Sequence, residues 1–188
     1  MERRHHTHHT RFVGLTLALL ALAGFVGAAY AMDLESWDEK ITKASKRFTV
    51  LSAFNNEAVL DKETQLVWEK SPGETDGVPG ITAADRLAWA SARVHCLNKN
   101  VGGRKGWRLP SFVELASLED PANTNAALPT GHPFTNIQSN DYWSASTNAA
   151  GPTSAWRVSF DDGFVGFALK SNSHFVWCVR GEMNADQY

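Results

Sequence analysis

The sequence predicts an α+β fold, and three observations carry that prediction. Short runs with alternating apolar residues gather near both ends of residues 48–181. Two stretches with helical apolar spacing lie between them. A long polar segment, 121–140, separates the helices from the last strands. Strands, two helices, a long loop and then antiparallel strands give segregated α and β elements rather than repeated βαβ units.

The first segment stands outside that fold. Residues 1–11, MERRHHTHHTR, are basic and polar, and residues 12–29 are almost wholly apolar. Ala29-Tyr30-Ala31 follows as a small-x-small site. Basic start, apolar middle and A-x-A-like exit describe a secretory signal peptide over 1–31, cut after Ala31. The alternative is an uncleaved signal anchor, since about 18 apolar residues is the lower limit for a span. That anchor would be the chain's one attachment to a membrane. His5, His6, His8 and His9 resemble a metal cluster but read as polar filler that leaves with the signal. The expected destination is secreted, periplasmic or cell surface.

Cleavage removes Glu2, Arg3, Arg4 and Arg11, so 18 basic and 20 acidic residues become 15 and 19. A net negative product argues against nucleic acid as a partner. The remaining chain, about 157 residues, is long enough for one domain with a real core. All seven Trp lie in it, which predicts an aromatic-rich interior.

Within it, residues 32–47 read as an N-terminal arm or short helix, with Leu34, Trp37, Ile41 and Ala44 at helical spacing. Phe48, Val50 and Leu51 predict a first strand. AVLD and QLVWE flank Lys62-Glu63-Thr64 as a hairpin. SPGETDGVPG, 71–80, is a Pro/Gly/acid loop. Thr82 and Asp85 form a capping-box-like pair that opens a helix. Its expected apolar stripe is Leu87, Ala90, Val94 and Leu97, and Gly102-Gly103 stop it.

The stretch GWRLPSFVEL, 106–115, mixes Trp, Arg, Pro and Glu, as catalytic sites do. Ser111 and Glu114 nevertheless make S-x-x-E, a second capping box, and Pro110 precedes the cap where no helical N–H is needed. Trp107 and Leu109 read as core, and Arg108 as outward-facing or paired with an acid. Glu114 has no carboxylate or His beside it in sequence to make it a general acid. In the loop 121–140 the chief apolar anchors are Leu128, Phe134 and Ile137. DYWSAS is a short strand. Trp156, Val158 and Phe160 alternate, then Val165, Phe167 and Leu169. HFVWCVR closes the sheet, with Phe175, Trp177 and Val179 on one face and Val176 and Cys178 on the other. Residues 182–188 form a C-terminal tail.

Cys96 and Cys178 are the only cysteines. Export and an even count predict a disulfide between them. A loop this long stabilises a fold by roughly 4–5 kcal/mol in the chain-entropy model. No C-x-x-C or clustered His favours a metal or redox pair instead.

Several of these motifs, AVLDKETQLVWE, WASARVHC, GGRKGWRLPSFVEL, DYWSAS, AWRVSFDDG and VWCVRG, come in an order and spacing that resembles the Lcl C-terminal-type domain. The resemblance covers about residues 48–181. That family is named for a bacterial collagen-like adhesin that binds sulfated polysaccharide and trimerises through its stalk; this chain carries no G-x-y repeat. The resemblance implies a C-type lectin-like fold, two helices packed on a small twisted antiparallel sheet with a long inserted loop. It also implies one disulfide from a helix to the final strand.

Animal C-type lectins bind sugar through calcium, using E-P-N or Q-P-D and W-N-D motifs that are absent from this sequence. Asn140-Asp141 and Asp161-Asp162 are the nearest oxygen-rich pairs and read as turn residues. No metal and no cofactor is therefore expected. The leading function is an exported, non-enzymatic, adhesin-like binding module. It would recognise a polar ligand, an extracellular or cell-surface glycan or protein, through the long loop and adjoining strand ends. The candidate contacts are Asn123, Asn125, His132, Asn136, Asn140, Asp141 and Tyr142. The alternatives are a formylglycine-generating-type enzyme, which needs two nearby cysteines for copper, and an envelope-associated structural or interaction protein.

Overall fold

The computed structural model describes residues 43–72, 86–120, 122–123 and 127–181. The signal segment, most of the arm, most of loop 71–80, the Thr82/Asp85 pair, Asn125 and the tail 182–188 lie outside the described residues.

Among the described residues the architecture is mixed α+β, with three short α-helices, small antiparallel sheets and one disulfide. Helix α1 spans Ala44–Arg47 and is the described end of the arm. Strands β1 (Phe48–Val50), β2 (Ala58–Asp61) and β3 (Val67–Glu69) follow, with a 3₁₀ turn at Ser52–Phe54. β2 and β3 are the hairpin expected around Lys62-Glu63-Thr64, and they pair antiparallel. Asp61 shapes that turn. Its buried carboxylate accepts from the Glu63 N–H and the Thr64 hydroxyl, and a two-pronged Arg47 guanidinium holds it at 2.9 and 2.7 Å.

Strand β4 (Leu87–Ala88) leads into helix α2 (Trp89–Asn98). The helix thus begins later than Thr82, because Leu87 and Ala88 pair in extended form with Ser173–His174. The apolar stripe predicted for it also fails. Ala90, Val94 and Leu97 are exposed, and the buried positions are Ala92, His95 and Cys96, with Lys99 just past the end. Two anchors set this rotation: the Cys96–Cys178 bond and the buried Lys99–Glu69 ion pair. Beyond it Gly102 has φ +59°, and a Cβ there would overlap the Phe54 backbone, so only glycine fits.

Strand β5 (Trp107–Arg108) and helix α3 (Phe112–Ala116) carry the 106–115 motif. The Ser111 hydroxyl accepts from the Glu114 N–H at 3.2 Å, and the Glu114 carboxylate accepts from the Ser111 N–H at 2.7 Å. Arg108 clamps the same carboxylate at 2.8 and 2.6 Å. Burial works to raise the Glu114 pKa, but the bonds from Arg108 and Ser111 outweigh it and hold it low. Trp107 and Leu109 are core residues, as expected.

The last strands are β6 (Asp141–Thr147), β7 (Ser154–Ser159), β8 (Val165–Leu169), β9 (Ser173–His174) and β10 (Val179–Arg180). The single sheet expected is divided into three, ordered β1-β2-β3-β10-β5, β4-β9 and β6-β7-β8. Residues 175–180 keep the predicted alternation. Phe175, Trp177 and Val179 enter one core cluster with Trp68, Leu115, Leu118, Tyr142, Val158 and Phe160. Val176 and Cys178 enter the other with Ala92, Cys96, Trp107 and Trp143. The alternation predicted for β8 holds only at Val165, which packs on the first core. Phe167 and Leu169 are 58% and 53% exposed, because β8 is an edge strand that extends past the core. The disulfide joins Cys96 to Cys178 with Cα atoms 5.4 Å apart.

Candidate functional site

The described residues of the long loop are bound to the domain at several points between its ends. Leu128 and Phe134 are buried in the first core, and Ile137 packs against it, so the three predicted anchors hold. The Ala127 N–H donates to Phe160 O, and the Thr135 N–H to Lys70 O, each at 2.9 Å.

That attachment occupies most of the candidate asparagines. Asn123 donates its amide to Leu128 O at 2.7 Å and to Asp120 at 3.2 Å. Asn136 has φ +57° and donates to the Ser71 hydroxyl at 2.7 Å. Asn140 accepts from the Asp141 N–H through its side chain and from the Phe160 N–H through its carbonyl. His132 is half-buried, with its ring stacked on Phe134 at 5.9 Å and its pKa lowered by burial. Tyr142 does not belong to an exposed contact surface. It is buried against Phe160, Phe175 and Trp177, its oxygen accepts from the Gln138 N–H, and burial pushes its pKa up.

Asp141 differs from these. It opens β6, and its carboxylate forms an ion pair with Arg157 of β7 while lying 3.6 Å from His174 Nδ1 of β9. The register explains the meeting. Trp143 stands opposite Arg157, which puts Asp141 on the diagonal of the same face. On the other side, β6 joins the segment after β9: the Phe175 N–H donates to Asp141 O and the Trp143 N–H to Phe175 O, each at 3.0 Å. The Trp143 ring meets the His174 ring edge-on at 4.5 Å.

His174 Nε2 is buried and meets no hydrogen-bond partner among the described residues. Burial is the main cause that lowers the His174 pKa; Asp141 opposes it, and Arg157 and Arg86 reinforce it. The ring is thus neutral at pH 7, with Nδ1 facing the carboxylate.

The outer rim of this cluster is aromatic. Phe164 is 57% exposed, and its ring lies over Gly166, where a Cβ would come within 2.6 Å of the ring edge. The Arg157 guanidinium sits 5.9 Å from the ring centroid. A partly exposed carboxylate–guanidinium pair and an exposed aromatic ring therefore stand side by side. This ledge can hydrogen-bond hydroxyls or amides and stack against an apolar ring face.

Sequence reasoning found Asp141 but missed Arg157, His174 and Phe164. The only signal was the strand alternation itself, which puts Asp141 and Trp143 on one face and leaves the partners to be set by register. A second acidic place, Glu119 with Asp162, lies at the β7–β8 turn. The Glu119 pKa is raised to about 7 by burial and by the charge of Asp162. Among the described residues no group of three or more His, Cys, Asp or Glu is placed to hold a metal ion.

The family model described as the Lcl C-terminal domain matches residues 57–180, which contain the whole cluster. No curated protein matches the chain. The match spans well over half of the sequence, and the chain belongs to the Lcl C-terminal domain family.

Proposed function

We propose that the protein is an exported, non-enzymatic binding module of C-type lectin-like fold that recognises a polar ligand, a glycan or a protein, at the Asp141 end of its long loop. One observation carries the reading: the exposed Phe164 ring beside the partly exposed Arg157–Asp141 pair. Sugars present hydroxyls at their edges and C–H groups on their faces, and this ledge offers a partner for each. His174 lies behind the carboxylate, with Nδ1 3.6 Å from it. The joined cysteines support the non-enzymatic reading, since a copper-holding pair needs free thiolates.

The test is a glycan array probed with the purified chain, with and without EDTA, followed by Phe164→Ala. The expected result is EDTA-independent binding that Phe164→Ala weakens at least about tenfold, with melting unchanged. Binding that survives Phe164→Ala and Arg157→Gln, both folded, places the ligand elsewhere.

A further inference from the structure

We infer that the protein forms a two-fold dimer through strand β8, which pairs edge to edge with β8 of a second copy. β8 is the edge of the β6-β7-β8 sheet. The Ser159 N–H donates to Phe164 O, and the Lys170 N–H to Thr153 O, so residues of even number turn their backbone groups toward β7. Backbone groups alternate along a strand, so Val165, Phe167 and Leu169 turn theirs outward. Among the described residues no strand pairs with that side, and the Leu169 carbonyl there accepts one bond, from the Asn172 N–H at 2.8 Å.

The edge carries none of the usual protections against pairing. VGFAL has no charge and no proline, and its register with β7 is unbroken. Phe167 and Leu169 are more than half exposed, and Phe167 touches the Trp156 ring, which itself stacks on Phe112.

Its symmetry selects the occupant. An antiparallel pairing centred on Phe167 sets Phe167 against Phe167 and Val165 against Leu169, which joins outward groups to outward groups and covers both exposed side chains. Charge selects the same arrangement. Asp161 and Asp162 precede the strand and Lys170 follows it, so antiparallel copies bring the acidic end of each to the basic end of the other. A parallel pairing would set acid against acid. A strand from an unrelated protein would have no reason to match this self-complementary order.

Sedimentation velocity of the full chain, over a range of micromolar concentrations, tests the dimer. The expected result is a monomer–dimer equilibrium that Phe167→Lys and Leu169→Lys each weaken about thirtyfold or more, the size expected of a central anchor. Both variants should melt where the wild type melts at concentrations low enough to keep it monomeric. Phe167→Cys should link to itself under oxidation, giving a dimer on a non-reducing gel. A wild-type chain that stays monomeric overturns the proposal. So does a dimer that survives both lysine variants, as association through apolar residues 12–29 would, or one in which Phe167→Cys fails to self-link.

Discussion

Glu69 and Asp141 are both carboxylates that hold a cation across two elements, yet their surroundings differ. Glu69 and Lys99 have side chains 2% and 0% exposed. One oxygen of Glu69 takes Lys99 and the other accepts the Cys178 N–H at 3.2 Å. Its backbone is engaged as well, by Trp177 Nε1 and by Cys178 O. Asp141 and Arg157 are 23% and 22% exposed, and the imidazole behind them keeps a nitrogen without a partner among the described residues. The first arrangement is closed, with both carboxylate oxygens held, and it locks α2 to β3 and β10. The second is left open at the surface. A charge pair that completes its own hydrogen bonds is structural; one that does not has capacity for a ligand.

Breaking the closed pair should give the largest effect. Lys99→Met leaves the Glu69 carboxylate buried without its cation and should cost about 3–5 kcal/mol. Urea unfolding measures it, and a loss under about 1 kcal/mol would mean that the contacts left to Glu69, the Cys178 N–H among them, suffice for it. The matching change in the open pair, Asp141→Asn, should cost only about 1 kcal/mol, because water partly screens the pair. It should still weaken ligand binding in the array assay. If Asp141→Asn proves as costly as Lys99→Met, the distinction between closed and open fails.

Ser111→Ala tests a third kind of polar contact, the helix cap, and should cost about 1 kcal/mol with binding unchanged.

Changes of pH test the two titrating groups, which act in opposite directions. Burial holds the folded His174 pKa below the ordinary histidine value of 6.5, so its protonation opposes folding and stability declines as pH falls below that value. Burial raises the Glu119 pKa to about 7 from the ordinary glutamate value of 4.5, so its stabilisation is complete below 4.5 and is lost as pH rises through 7. Melting curves of Glu119→Gln should therefore lie above wild type at pH 8 and converge with it near pH 4.5. His174→Gln should remove the decline on the acid side. Parallel curves for wild type and either variant would remove that residue from the account.

The sequence showed what depends on neighbours along the chain. The Ser111–Glu114 cap, the 58–69 hairpin and the two faces of residues 175–180 are local patterns, and each is present. The start and rotation of α2 were not legible, because they follow from a strand pairing, a disulfide and an ion pair with residues far along the chain. The same limit hid most of the site. Asp141 stood out at the end of a polar loop, but Arg157 and His174 reach it only through β6 register. The loop's asparagines looked available because hydrogen-bond partners such as Leu128 O and Ser71 cannot be read from composition. Phe167 and Leu169 alternated correctly but lay on an edge, which the period of a strand cannot reveal.

The position of β10 in its sheet also sets an order of events. The last strand in sequence lies between β3 and β5, so the five-stranded sheet cannot close until residues 179–180 have arrived. The hairpin β2–β3 can form early from neighbouring residues, but β5 then waits for a strand about seventy positions downstream, and Cys96 waits for Cys178. Such a chain folds only after its C-terminal residues are available, by a slow closure over long sequence separation. A protein synthesised only as far as β8 would hold two unmatched strand edges and one free thiol. Pulse-labelling of thiols during refolding would record the closure as the time at which both cysteines vanish together.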